Sequence, residues 1–149
     1  MKRAAEPSFE TTLLVRDTCL CLHAQRAARA IARRFDLALK PTGITSGQFS
    51  LLMALNRPTP ANLASVAALL GMDRTTVTAN LKPLERHRLV KTAIDPEDRR
   101  ARLLQLTPAG RGILAKAVPI WRRVHAEIEA VLSDPDHVRS ELNRLSTSG

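Results

Sequence analysis

The sequence predicts a mostly α-helical chain with one small β-hairpin past its middle and long helices at both ends. Three observations predict it. Apolar residues recur at helical spacing through most of the 149 residues. Cap residues, prolines and glycines divide that pattern into segments. One stretch, KTAIDPEDRRARLLQLT from Lys91 to Thr107, replaces the helical period with two strand-like runs around a charged tip, DPEDRR. Apolar residues make up 44% of the chain, enough for a core, but aromatics are only 3% and tyrosine is absent. Leu, Ala, Val and Ile must therefore fill the interior.

From Ser8 to about Leu39 there is no Pro or Gly, which predicts one long helix ending before Pro41-Thr42-Gly43. Thr45-Ser46-Gly47-Gln48 has capping-box spacing and opens a helix, FSLLMALN, that runs out before Pro58. Thr59-Pro60 reads as N-cap and first position of a third helix, ANLASVAALL, with Gly71 just past its end, where a positive φ costs least. Asp73 caps a fourth helix, RTTVTANLKPLERH. LVKTAI and ARLLQL are the strands of the hairpin. Thr107-Pro108 opens a long helix to about Leu132, and Asp134-Pro135 a short last one ending near Leu145.

Charge narrows the function. The net charge is +9, with nine Lys/Arg against four acids in residues 1–60, nine against five in 61–112, and five against five in 113–149. A basic front and a neutral tail suit a polyanion-binding protein with a separate assembly segment. No apolar run is long enough to span a membrane, and the N-terminal MKRAAEPSFETTLL carries acids where a signal peptide needs apolar residues. A cytoplasmic protein with no membrane partner is expected. Cys19 and Cys21, two residues apart on a continuous helix, would point about 200° apart and make a poor disulfide pair. Metal-ligand spacing is missing, so neither a metal nor another cofactor is expected.

Two short helices joined by a tight glycine turn, the second capped and rich in Thr, describe a helix-turn-helix. On the fourth helix Val77, Leu81 and Leu84 follow the i, i+4, i+7 pattern of a core face. Thr75, Ala79, Lys82 and Arg86 then line the opposite side, with Thr76 and Thr78 on its flanks. Hydroxyls there suit phosphates or base edges and the cations suit phosphates. The ordinary alternative is a solvated helix face. A hairpin directly after such a helix favours DNA, because it forms a wing whose tip lies beside the duplex. Arg99 and Arg100 at that tip suit the minor groove, where the potential is most negative. Asp95, Glu97 and Asp98 are unsuited to phosphate contact and fit a loop-shaping role.

The run LLGMDRTTVTANLKPLERHRLVKTAIDPEDRRARLLQLTPAGR resembles the winged helix of the MarR family of bacterial regulators. GITSGQFSLLMAL and the flanking helices extend the resemblance over nearly the whole chain. It implies a single domain over residues 1–149, with 8–40 and 108–147 as dimerisation helices and 45–107 as the winged helix-turn-helix. It also implies a homodimer on a pseudo-palindromic double-stranded DNA operator, usually a repressor released by a small hydrophobic or anionic effector or by an oxidant. By the same resemblance Arg100 reaches the minor groove and Asp98 steadies the wing through an arginine such as Arg74. Three departures stand out. Ala79 replaces a frequent arginine, Arg88 replaces the usual glycine before Leu89-Val90, and Pro83 sits inside the recognition helix.

The releasing signal is less legible. In the thiol-based branch of the family a reactive cysteine lies in the first helix, and Cys21 falls on that position, although the tyrosines that accompany it there are missing. A redox-sensing regulator using Cys21 is therefore the alternative reading, and a winged helix serving a non-DNA partner is a further one. An enzyme is not expected, because no nucleophile, acid and base come together at useful spacing.

Overall fold

The computed structural model describes residues 5–147; residues 1–4 and 148–149 of the single domain expected from the sequence lie outside them. The elements are α1 (Phe9–Thr18), α2 (Leu20–Leu39), α3 (Ser46–Ala54), β1 (Ala61–Asn62), α4 (Leu63–Leu70), α5 (Arg74–Arg86), β2 (Val90–Ile94), β3 (Arg102–Leu106), α6 (Pro108–Glu129) and α7 (Pro135–Thr147). A 3-10 turn at Lys40–Thr42 ends α2, and Gly43 closes it at φ 78°. The three strands form one antiparallel sheet in the order β1-β3-β2. Val90 lies opposite Leu106, Thr92 opposite Leu104 and Ile94 opposite Arg102.

The capping chemistry accounts for most boundaries. Thr45 and Gln48 make the reciprocal capping box that their spacing predicts. Asp73 caps α5 by accepting from the Thr76 N–H at 2.7 Å. Thr107 caps α6 by accepting from the Gly110 N–H at 3.1 Å, and Asp134 accepts from His137 N–H at 2.9 Å at the start of α7. The core gathers where α3, α4, α5, the sheet and α6 meet, around Leu51, Leu52, Leu55, Leu84, Leu104 and Leu106. Leu39 at the end of α2 joins it with 0% exposure.

Two expectations are corrected. The single helix over 8–39 is two helices, broken at Cys19, whose backbone is extended at φ −67°, ψ 109°. The break carries no Pro or Gly, and the Cys19 carbonyl already accepts the His23 N–H at 3.1 Å as the first bond of α2; side chains add two further bonds beside it. The Thr18 hydroxyl donates to the Leu14 carbonyl at 2.7 Å, and the His23 ring nitrogen Nδ1 lies 2.8 Å from the Cys19 carbonyl. The cap of α4 is Asn62 rather than Thr59. Its side-chain oxygen accepts from the Ala64 N–H at 2.7 Å, while Ala61 and Asn62 pair with Leu104 and Leu103 of β3. The hairpin thereby gains a third strand. Trp121 of α6 packs against the core of its own chain, with its ring 6.3 Å from Phe49 and 4.6 Å from His125.

Helices α1 and α7 stand apart from that core. Among the described residues neither has a buried one. Phe9, Leu14 and Val15 of α1 and Val138, Leu142 and Leu145 of α7 present apolar side chains to solvent. In α7 these fall at i, i+4 and i+7, the stripe of a helix that packs against something.

Candidate nucleic-acid interface

Helices α4 and α5 are joined by a turn that depends on backbone chemistry. Gly71 adopts φ 63°, and its N–H bonds back to the end of α4. The Met72 N–H reaches the Ala67 carbonyl at 2.9 Å, closing the helix with a Schellman-type bond. Asp73 follows at once as the cap of α5. The Thr76 backbone N–H, and then the Thr76 hydroxyl at 2.9 Å, hold its carboxyl below the usual carboxylate range. The hydroxyl proton of Thr76 is thus committed to the cap, which leaves only its lone pairs and methyl for an external ligand.

Beyond the cap, α5 is amphipathic in the expected sense. Val77, Leu81 and Leu84 are buried, whereas Thr75, Thr78, Ala79, Lys82 and Arg86 are exposed. Pro83 lies within the helix, which continues to Arg86. The chain then reverses through Arg88, a non-glycine residue at φ 58°, in the left-handed region that costs an L-residue about 1 kcal/mol. The Leu89 N–H bonds to the Leu84 carbonyl at 2.8 Å to close the reversal.

The wing follows directly. Its acids shape the tip. Asp95 accepts from the Glu97 N–H at 2.9 Å and Asp98 from the Arg100 N–H at 3.0 Å. The Ala101 N–H bonds to the Asp98 carbonyl at 2.8 Å. Asp98 therefore acts on the loop through backbone bonds, and among the described residues it forms no ion pair with Arg74, the partner expected from the sequence. Arg74, Arg99 and Arg100 are exposed.

The ion pairs among the described residues all lie on α1, α2, α6 and α7, for example Arg34–Glu127 at 3.3 Å. None falls in residues 45–107. The cations of α5 and of the wing are left without neighbouring carboxylates at ion-pair distance, so they present positive potential to a polyanion. A groove of about 530 Å³ separates α5 from the wing sheet and is lined by Thr78, Lys82, Glu85, Thr92 and Arg102 among others. Sequence reasoning did not single out Glu85 or Thr92; their meeting depends on the angle of the sheet, which no local spacing encodes.

Comparison with known proteins agrees with this geometry. A profile of the MarR family matches residues 42–101. The Mycobacterium tuberculosis transcriptional regulator MosR, in complex with DNA, superimposes with a TM-score of 0.82 and 37% identity, covering 88% of this chain and 96% of that one. The chain belongs to the MarR family. Members of this family are DNA-binding transcriptional regulators rather than enzymes, with winged-helix structures. The transcriptional activatory protein BadR of Rhodopseudomonas palustris is 38% identical over 95 residues, 61% of this chain, and the match spans about half of BadR's own length (54%). The repressor CouR, bound to a 23-mer DNA duplex, is 28% identical, covers 96% and 98% of the two chains, and has a TM-score of 0.73. CouR of Rhodococcus jostii with p-coumaroyl-CoA bound is similar at 25% identity, coverages of 89% and 95%, and a TM-score of 0.74. Within the described residues, no helix of this MarR-family chain is long and apolar enough to cross a membrane.

Proposed function

We propose that this MarR-family regulator works as a homodimeric repressor on a pseudo-palindromic operator. Residues 45–107 form the reading head, and 8–40 with 108–147 form the dimerisation helices. The observation that carries the reading is the exposed face of α5 beside an arginine-tipped wing, neither of them neutralised by an ion pair among the described residues. Thr75, Thr76, Thr78, Lys82 and Arg86 face the major groove, and Arg99 and Arg100 reach the minor groove. The uncovered apolar stripe of α7, with the exposed apolar side chains of α1, supports the dimer, because apolar surface without a partner costs burial that a second copy restores. The DNA complexes of MosR and CouR support the ligand class.

A cavity of about 620 Å³ between α3, α4 and α6 supports release by a small molecule. Phe49, Met53, Leu69, Val118 and Trp121 line it, and the exposed Arg122 lies at the same cavity. That lining suits an effector with a flat apolar body and an anionic group. The cavity lies between the reading head and a dimerisation helix, so an occupant bears on their spacing.

The test is Arg100→Ala against a selected duplex at about 0.15 M salt. Weaker binding by a protein that remains dimeric is expected; unchanged affinity contradicts the wing contact. Binding should also fall steeply with added salt as counterions are released.

A redox reading is favoured by one local arrangement. Gln25 Nε2 donates to Cys21 Sγ at 3.1 Å, and Arg29 in turn donates to Gln25 Oε1 at 2.9 Å. Cys21 is exposed. On this reading a hydroperoxide oxidises the Cys21 thiol to the sulfenic acid and is itself reduced to the alcohol. Peroxide would then lift DNA binding in the native protein and leave a Cys21→Ser variant bound; equal responses exclude it.

A further inference from the structure

The wing is tied firmly at its base. The pairs Ala61–Leu104 and Asn62–Leu103 join β3 to the start of α4. The Thr107 hydroxyl donates to the Arg88 carbonyl at 2.6 Å, and the Thr107 N–H to the Leu89 carbonyl at 3.1 Å. Further out, β2 is an outer strand of the sheet, and the groove of about 530 Å³ lies between the sheet and α5. One side-chain hydrogen bond among the described residues crosses from α5 to the hairpin, with the Thr92 hydroxyl donating to Glu85 Oε1. Beyond Thr92 the ladder is short: Ala93 and Ile94 are paired, and the Asp95 N–H bonds to the Ala101 carbonyl at 3.1 Å just before the tip.

Glu85 is otherwise hard to place. It is an exposed carboxylate lining a groove with Lys82 and Arg102, beside the face that meets a polyanion. By charge alone it weakens DNA binding. Thr92 is β-branched on a strand, so its χ1 is stiff and its hydroxyl holds one direction. A stiff donor meeting a carboxylate across a gap makes a strut.

We propose that Glu85 and Thr92 are positioning residues for DNA recognition: their bond fixes the wing against the recognition helix, so that both groove contacts are made as one rigid unit. This rests on the reading of Arg100 as the wing contact. Neither residue touches DNA in this account; both act through Arg100. A wing that swings freely must be ordered on binding, and that ordering subtracts from what Arg100 contributes.

Glu85→Ala separates the strut from simple electrostatics. Removing a negative charge beside DNA predicts tighter binding, whereas losing the strut predicts weaker binding, by about fivefold for one hydrogen bond. Thr92→Val, nearly isosteric and equally at home in a strand, should match it. Thr92→Ser, which keeps the hydroxyl, should bind as the native protein does. Affinities for a selected duplex would be read by fluorescence anisotropy, with the dimer checked by light scattering. Arg100→Ala should cost less affinity in the Thr92→Val background than in the native one. Tighter binding by Glu85→Ala overturns the proposal, and so do independent, multiplying losses in the double variant. If Arg100→Ala is harmless in the native background, the wing contact itself fails and the strut with it. A full Arg100 penalty with no effect of Glu85→Ala overturns the strut alone.

Discussion

Gly110 lies in the first turn of α6, and its replacement by Ala measures how tightly the wing base is clamped to that helix. A Cβ built there would sit 2.2 Å from the Leu89 carbonyl oxygen and 3.3 Å from Leu106 Cδ2. The oxygen is backbone and cannot rotate away, so α6 and the α5–β2 reversal must separate by about 1 Å to reach ordinary contact. Overpacking of this kind costs about 1–3 kcal/mol. The same shift strains the Thr107 N–H bond to Leu89, worth about 1 kcal/mol. Ala in place of Gly in a helix returns up to about 1 kcal/mol. A net loss of about 2 kcal/mol lowers Tm by about 4–8 °C in a chain of this size. Gly112, two residues on, has nothing within 4 Å of its built Cβ, so Gly112→Ala gains about 0.5–1 kcal/mol from propensity alone. Thermal unfolding of both variants at one protein concentration decides the matter, since a dimer's Tm depends on concentration. Equal stability of the two variants would refute the close approach at Gly110.

Three other outcomes are expected. Arg88→Gly relieves the left-handed residue at φ 58° and stabilises by about 1 kcal/mol, seen as a higher urea midpoint at unchanged slope; a lower midpoint contradicts the strain. The carboxyl of Asp73 titrates below its ordinary value because the Thr76 N–H and hydroxyl bond its charged form. Its contribution is therefore full above the unfolded pKa of about 3.9 and is lost as pH falls through the folded value. Asp73→Asn keeps a cap but flattens that part of the acid limb in urea midpoints followed down to about pH 3; an unchanged acid limb counts against the cap's charge. Leu142→Glu on the uncovered stripe of α7 should turn a dimer into a monomer by light scattering and abolish tight DNA binding, and a dimer that survives it refutes the assignment of that face.

What was legible in the sequence was what local chemistry dictates. The box at Thr45 and Gln48, the caps at Asp73 and Thr107 and the glycine reversal at Gly71 all follow from a few neighbouring residues. The inward Val77, Leu81 and Leu84, and hence the outward face of α5, follow from the helical period. What was not legible depends on partners distant in sequence. Thr59-Pro60 carries the local signal for the start of α4, but the pairing of Ala61 with Leu104 moves that start to Asn62. The break at Cys19 carries no Pro or Gly, so no local breaker announces it. Asp98 was assigned to a distant arginine when its bond is to a backbone two residues away. The Glu85–Thr92 bond joins a helix to a strand across a reversal, and no spacing announces it.

The central claim is that two copies of this winged helix read a two-fold DNA site. The most direct measurement is selection of bound duplexes from a random pool at about 0.15 M salt. An enriched pseudo-palindrome with half-sites about one helical turn apart is the predicted result. Enrichment of a lone half-site, or none from folded, reduced and effector-free dimer, would contradict it.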